Sequence, residues 1–207
     1  MLGFYNYTVI LTYMSLFSAI FGITFAFEGH TFWAVFCLLL SGFCDMFDGK
    51  VAKTMKRTDD EKKFGIQIDS LSDVIAFGVL PAAIGYSLGL TEWWGKIIMA
   101  TFVLAALIRL AYFNVMEEKR QAKTSETRKE YLGLPVTTDA LIFPLVYAFK
   151  SLFTTNFHLV YGGMLLLVAF LFLFKFKVKK PKLKGMILMT IAGVIELALL
   201  IWLMTRW

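Results

Sequence analysis

Seven apolar runs take up most of the 207-residue chain, at roughly 8–27, 31–49, 66–90, 94–116, 134–150, 156–174 and 186–204. Most are near the ~20 residues that a helix needs to cross a hydrocarbon core of ~30 Å. The chain is 58% hydrophobic, with a mean hydropathy of +0.69, well beyond the usual range of a soluble domain. The expected fold class is therefore all-α: a polytopic transmembrane helical bundle forming one integral-membrane domain over residues 1–207. The longest connection, 117–133, is too short to hold a soluble domain. The first run lacks a basic leader and a small-residue cleavage site, so it is expected as a retained helix. Cys37 and Cys44 are seven residues apart on one expected helix, about 10 Å along its axis. That separation rules out a mutual disulfide and leaves both as small apolar fillers.

The basic residues alternate between loops. Loop 50–63 holds Lys50, Lys53, Lys56, Arg57, Lys62 and Lys63, whereas the next connection holds only Lys96. Loop 117–133 holds Lys119, Arg120, Lys123, Arg128 and Lys129, and the following connection only Lys150. Loop 175–185 holds Lys175, Lys177, Lys179, Lys180, Lys182 and Lys184, and Arg206 lies near the end of the chain. By the positive-inside rule, the N-terminus and the three basic loops face the cytoplasm. If all seven runs cross, the C-terminus lies outside. The net charge of +6 then reflects membrane asymmetry, and loop 175–185 is expected to lie on anionic lipid. No nucleic-acid partner is expected, because no basic face interleaved with aromatics lies outside the lipid.

Against this apolar background stand four aspartates in two pairs. Asp45 and Asp48 close the second run, three apart; Asp69 and Asp73 open the third, four apart. Each spacing puts a pair on one helix face, at depths up to about 15 Å from the cytoplasmic boundary. Four carboxylates that close cannot all stay ionised without cations, and acids inside spans usually mark function. Hard oxygen ligands suit Mg²⁺, Mn²⁺ or Ca²⁺, and His30 and His158 map to the outer side. Two divalent cations held by carboxylates form a device for phosphoryl transfer, clamping the attacking and leaving oxygens. A site open sideways among helices suits a lipid donor, and inward-facing loops suit a soluble acceptor. Asp59, Asp60 and Glu61 are expected as a solvated charge run.

The stretch CDMFDGKVAK at 44–53, followed by GIQIDSLSD at 65–73, resembles the signature of the CDP-alcohol phosphotransferase family. That signature is Asp, two residues, Asp-Gly, two residues, Ala-Arg, a spacer, Gly, three residues, Asp, three residues, Asp. Every fixed position but one matches: Lys53 stands where the family usually has Arg. Lysine keeps the charge but loses the planar fork that grips a phosphate with two parallel hydrogen bonds. The eleven-residue spacer is expected to lengthen the loop and not the helices. RLAYFNV at 109–115 and YLGLPVTTDA at 131–140 are similar to the phosphatidylserine synthase branch, so the resemblance covers roughly 8–150, with 151–207 as additional helices.

The resemblance implies a six-helix family core plus a seventh helix, a homodimer, and transfer of a phosphatidyl group from CDP-diacylglycerol, or an archaeol analogue, to L-serine. By the same resemblance Asp45, Asp48 and Asp69 hold two divalent cations, and Asp73 is both a ligand and the general base. Asp48, Gly49, Ala52, Lys53 and Gly65 then accommodate the cytidine diphosphate. Arg109, inside the fourth run, is expected to bind the serine carboxylate or a phosphate, or else to balance an aspartate. Asn114 and Thr138 are expected to hydrogen-bond serine or to cap helix ends. Asp139 is expected to pair with the serine ammonium or to serve the first turn of its helix. Glu196, deep in the last run, has no assigned role. Rival functions are the same chemistry on glycerol phosphate, inositol phosphate or choline, an ion or proton transporter, and a noncatalytic scaffold. A relay would need polar steps through the whole membrane, yet the outer half holds only Glu28 and Glu92 near its boundary.

Overall fold

The computed structural model describes residues 3–121, 130–153, 156–179 and 183–204. Lys123, Arg128, Lys129, Lys180, Lys182 and Arg206 lie outside the described residues. Each of the seven apolar runs holds a helix, and the protein is an all-α polytopic membrane bundle. Among the described residues, four helical segments are long and apolar enough to cross a membrane: Tyr7–Phe27, Thr31–Thr54, Asp59–Ser87 and Trp93–Gln121. Phe157–Leu173 and Ile187–Trp202 are shorter apolar helices.

Helix α1 (Ile10–Phe27) packs along α2 (Thr31–Val51), the two joined by a tight turn at Gly29, which has a φ of 81°. Their contact is a stripe of small residues. The Ser15 hydroxyl donates to the Ser41 carbonyl (3.3 Å), the Ser41 hydroxyl returns a bond to the Ser15 carbonyl (3.0 Å), and the Ser18 hydroxyl donates to the Cys37 carbonyl (2.9 Å). A β-carbon on Gly22 would lie 2.8 Å from that of Cys37. Helices that cannot rely on a hydrophobic drive in lipid associate through such close backbone approach and hydroxyl bonds. Cys37 and Cys44 are buried and unbridged, as expected of small fillers in this contact.

Helix α3 (Asp59–Asp73) starts earlier than the hydropathy predicted. Thr58 accepts from the Glu61 backbone N–H, and the Glu61 carboxylate accepts from that of Thr58, a complete capping box. Asp59, Asp60 and Glu61 fill the first turn, where acids suit the helix dipole. The long spacer therefore lengthens the helix as well as the loop, and the charge run is its first turn. After Asp73 the chain makes a π-helical turn, Val74–Val79, before α4 (Leu80–Ser87). Pro81 lacks the N–H that would bond back to residue 77, which favours the wider turn here.

Helix α5 (Trp93–Gln121) outruns its expected length. The fifth run is shorter than expected: α6 (Asp139–Ala148) has ten residues and lies between the 3₁₀ turns Val136–Thr138 and Lys150–Leu152. Helices α7 (Phe157–Leu173) and α8 (Leu183–Met204) complete the bundle. Strands β1 (Glu130–Leu132) and β2 (Lys177–Lys179) pair antiparallel, so two of the basic loops are zipped together. The interior is aromatic: Phe102 meets Phe143 edge-on at 5.6 Å, and Phe143 lies 5.2 Å from Tyr161. The Tyr161 hydroxyl donates to the Pro81 carbonyl (3.1 Å), tying α7 to α4. Large apolar side chains such as Phe17, Leu104 and Leu167 face outward, as a lipid solvent requires.

Candidate active site

The last turns of α2 and the last turns of α3 bring the two aspartate pairs together. One carboxylate oxygen each from Asp45, Asp48 and Asp69 lies within 4.8 Å of the others, and all three residues are half-buried. Asp73 completes the group from one turn further along α3: its carboxyl meets that of Asp45, as that of Asp48 meets Asp69. Asp73 is the deepest of the four, at 7% exposure. Helix α1 supports the cluster from behind. Thr12 donates its hydroxyl to Asp48 (3.4 Å), and the Ser72 hydroxyl donates to the Thr12 carbonyl (3.3 Å), locking α1 against α3.

Carboxylates this close repel one another strongly unless protons or cations intervene. Three hard oxygen donors at this separation fit a divalent cation of the Mg²⁺, Mn²⁺ or Ca²⁺ kind. No histidine or cysteine joins the cluster among the described residues. His30 immediately precedes α2 at its far end, and His158 of α7 packs beside Trp94 of α5.

A cavity of about 930 Å³ opens beside the cluster, between α2, α6 and α8. Asp45, Asp48, Gly49 and Lys50 line it along the C-terminal turns of α2, and Lys53 from the 3₁₀ turn Ala52–Thr54 that follows; Phe36, Leu39 and Leu40 line it two to three turns earlier. Thr190, Gly193 and Val194 of α8 close the opposite wall, so the last helix takes part in the site region. A β-carbon on Gly49 would meet nothing within 4 Å, leaving open space over Asp48. Ala52 is half-buried and Lys53 exposed. Gly65 is different: a β-carbon there would lie 3.0 Å from Nη1 of Arg57.

The residues expected to meet the acceptor are more scattered. Thr138 lines the large cavity, its hydroxyl bonded to the Pro135 carbonyl. Arg109 is buried, donates from Nε to the Leu134 carbonyl (2.9 Å) and covers the Phe113 ring at 5.1 Å. It lines a separate cavity of about 150 Å³ with Tyr112, Gly133 and Phe172. Asn114 exchanges hydrogen bonds with Ser70, the residue after Asp69 (2.9 and 3.1 Å). Asp139 is fully buried near Tyr161, does not line the large cavity, and has no hydrogen-bond partner for either carboxylate oxygen among the described residues. Glu196 is buried on α8 with Oε2 likewise unpaired.

Two residues near the acids were missed in the sequence. Thr12 belongs to a small polar stripe, Thr8, Thr12, Ser15 and Ser18, whose three- and four-residue spacing was available as a signal. Arg57 looked like one of six loop cations, and only its seat on Gly65 separates it from them.

Comparison with known proteins identifies the family. The sequence model of the CDP-alcohol phosphatidyltransferase family matches residues 5–205. The chain is 37% identical over 116 residues to the CDP-diacylglycerol–serine O-phosphatidyltransferase of Saccharomyces cerevisiae, covering 55% of this chain and 41% of that protein. It is 34% identical over 146 residues to the protein of the same name from Helicobacter pylori, covering 68% and 56%. It is 28% identical over 178 residues to the archaetidylserine synthase of Methanothermobacter thermautotrophicus, covering 86% and 70%. The chain thus spans about half the length of the first two relatives. With nearly its whole length matched, this chain belongs to the CDP-alcohol phosphatidyltransferase family.

Proposed function

We propose that the protein transfers the phosphatidyl group of CDP-diacylglycerol, or of its archaeol analogue, to the hydroxyl of L-serine, giving phosphatidylserine and CMP. The observation that carries this is the convergence of Asp45, Asp48 and Asp69 within 4.8 Å at the spacing of the family signature. The names of the relatives support serine as acceptor and the two lipid types as donors. The large cavity supports a lipid donor, since it joins carboxylates and lysines at one end of α2 to an apolar wall further along it.

In the proposed reaction the serine oxygen attacks the β-phosphorus, the bond from that phosphorus to the CMP oxygen breaks, and the serine proton passes to a base. Asp45, Asp48 and Asp69, with Asp73, would hold two divalent cations, which when bound neutralise the diphosphate and the charge of the leaving CMP. Asp73 takes the serine proton, because a neutral hydroxyl is a poor nucleophile without a positioned base. Thr12 orients Asp48, Gly49 and Ala52 leave the nucleotide room, and the space over Gly65 seats the Arg57 guanidinium. Lys53 contributes charge. Arg109 acts on the acceptor side, through the Leu134–Pro135 segment that forms part of the cavity wall. Asn114, Thr138 and Asp139 complete the proposed acceptor region.

The site is proposed to face the cytoplasm at the cell membrane, supported by the six basic residues of loop 50–63 beside the acids. A homodimeric assembly is carried by the family resemblance alone. The test is CMP release by purified protein from CDP-diacylglycerol in Mg²⁺ or Mn²⁺, with serine compared against glycerol phosphate, inositol phosphate and choline. Release that depends on serine and stops with a chelator is expected. Release with another alcohol in place of serine, or release indifferent to the chelator, would overturn the proposal.

A further inference from the structure

We infer that Arg57, outside the family signature, supplies the two-pronged cation that grips the nucleotide-side phosphate of the CDP-bearing substrate. The inference rests on the proposed function and deepens it.

The signature offers only an ammonium at position 53, and Lys53 is exposed and lines the cavity between α2, α6 and α8. Neither Arg57 nor Gly65 lines that cavity. The guanidinium of Arg57 lies instead against the backbone of α3, with Nη1 3.0 Å from where a β-carbon of Gly65 would stand. Gly65 precedes Asp69 by four residues, so both share one face, about 6 Å apart along the axis. The fork therefore stands one turn outward from the carboxylates suited to divalent cations. The acidic cluster is flanked by two cations of different chemistry, Lys53 from the cavity and Arg57 from α3.

The chain on both sides of Arg57 is tied down. Residues 52–64 are tied down by the N-terminal segment: the Tyr7 hydroxyl bonds that of Thr54 (2.9 Å), the Asn6 amide donates to Glu61 (3.4 Å), and Phe4 meets Phe64 edge-on at 5.6 Å. Thr54 and Glu61 bracket Arg57. The Glu61 carboxylate attracts the guanidinium, yet its hydrogen bonds go to Thr58 and Asn6. Arg57 is in neither of the ion pairs among the described residues. A half-buried fork one helical turn outward from a cluster of carboxylates is suited to an oxyanion brought there with counter-cations, since two parallel N–H bonds match a phosphate as an ammonium cannot.

The test is binding of CDP in Mn²⁺, by calorimetry in detergent, to Arg57→Lys, Arg57→Ala, Gly65→Ala and the Gly65→Ala/Arg57→Ala double variant. Arg57→Lys is expected to weaken CDP by about tenfold although the charge is kept, and Arg57→Ala by more. The KM for serine and the melting temperature without nucleotide should stay unchanged in Arg57→Lys. Gly65→Ala, whose methyl would displace the guanidinium, should weaken CDP in the parent but add little in Arg57→Ala. Wild-type affinity in Arg57→Lys, or additive effects of Gly65→Ala and Arg57→Ala, would overturn the assignment. Wild-type protein that binds no CDP would overturn the proposed function instead.

Discussion

Gly42 on α2 and Ala140 on α6 meet so closely that a β-carbon on Gly42 would collide with that of Ala140. Gly42 is one turn before Asp45, so this contact sets the short α6, and Thr137 and Thr138 before it, beside the acidic cluster. Gly42→Ala must force α2 and α6 apart. Overpacking of that kind costs about 1–3 kcal/mol. A lowered melting temperature in detergent, together with slower CMP release, is expected; an unchanged melting curve would contradict the contact.

Asp48→Asn and Asp69→Asn each remove one charge from the three-carboxylate group. Affinity for divalent cations follows the number of charged ligands. Mn²⁺ binding, followed by electron paramagnetic resonance, should weaken by about tenfold or more in either variant. Binding equal to the parent's would place the cation elsewhere.

Asp73 is the most buried of the four acids and meets Asp45, away from the open space over Gly49. Asp73→Asn keeps the shape and removes the base. CMP release should fall by about 10²–10⁴-fold, the usual contribution of general base catalysis, while CDP-diacylglycerol binding is largely retained. Undiminished release would remove Asp73 from the role of base.

Arg109 donates to the Leu134 carbonyl and covers Phe113 at once. Lysine cannot reproduce both the planar stacking and the Nε bond. Arg109→Lys should raise the KM for serine more than that for the lipid, because Leu134 and Pro135 line the cavity. Steady-state kinetics in both substrates checks this, and an unchanged serine dependence would leave Arg109 with a purely structural bond.

How much was legible in advance differs from element to element. The apolar runs located every helix, because lipid exposure leaves its mark on composition. They misplaced the start of α3, since hydropathy ends where lipid ends and α3 continues into water on its capping box. The Thr58-Asp59-Asp60-Glu61 pattern carries that information: the run is exposed at Asp59 and Asp60 and is also the first turn of α3. The π-turn at Val74–Val79 left only Pro81 as a sign. Arg109 and Asp139 share the depth of the acids in sequence, yet the first lines a second cavity and the second is sealed near Tyr161. Depth along a helix says nothing of which neighbour a side chain faces.

By itself the sequence determined that the chain lives in lipid and that its acids fall in two same-face pairs. Both are local consequences of apolar length and helical periodicity. Only the tertiary structure decided that the pairs converge within 4.8 Å and that Arg57, alone of six loop cations, rests on Gly65. The distance between two helices depends on what packs between and behind them. Here that is the serine and glycine stripe joining α1 to α2 and the Thr12–Ser72 bond joining α1 to α3.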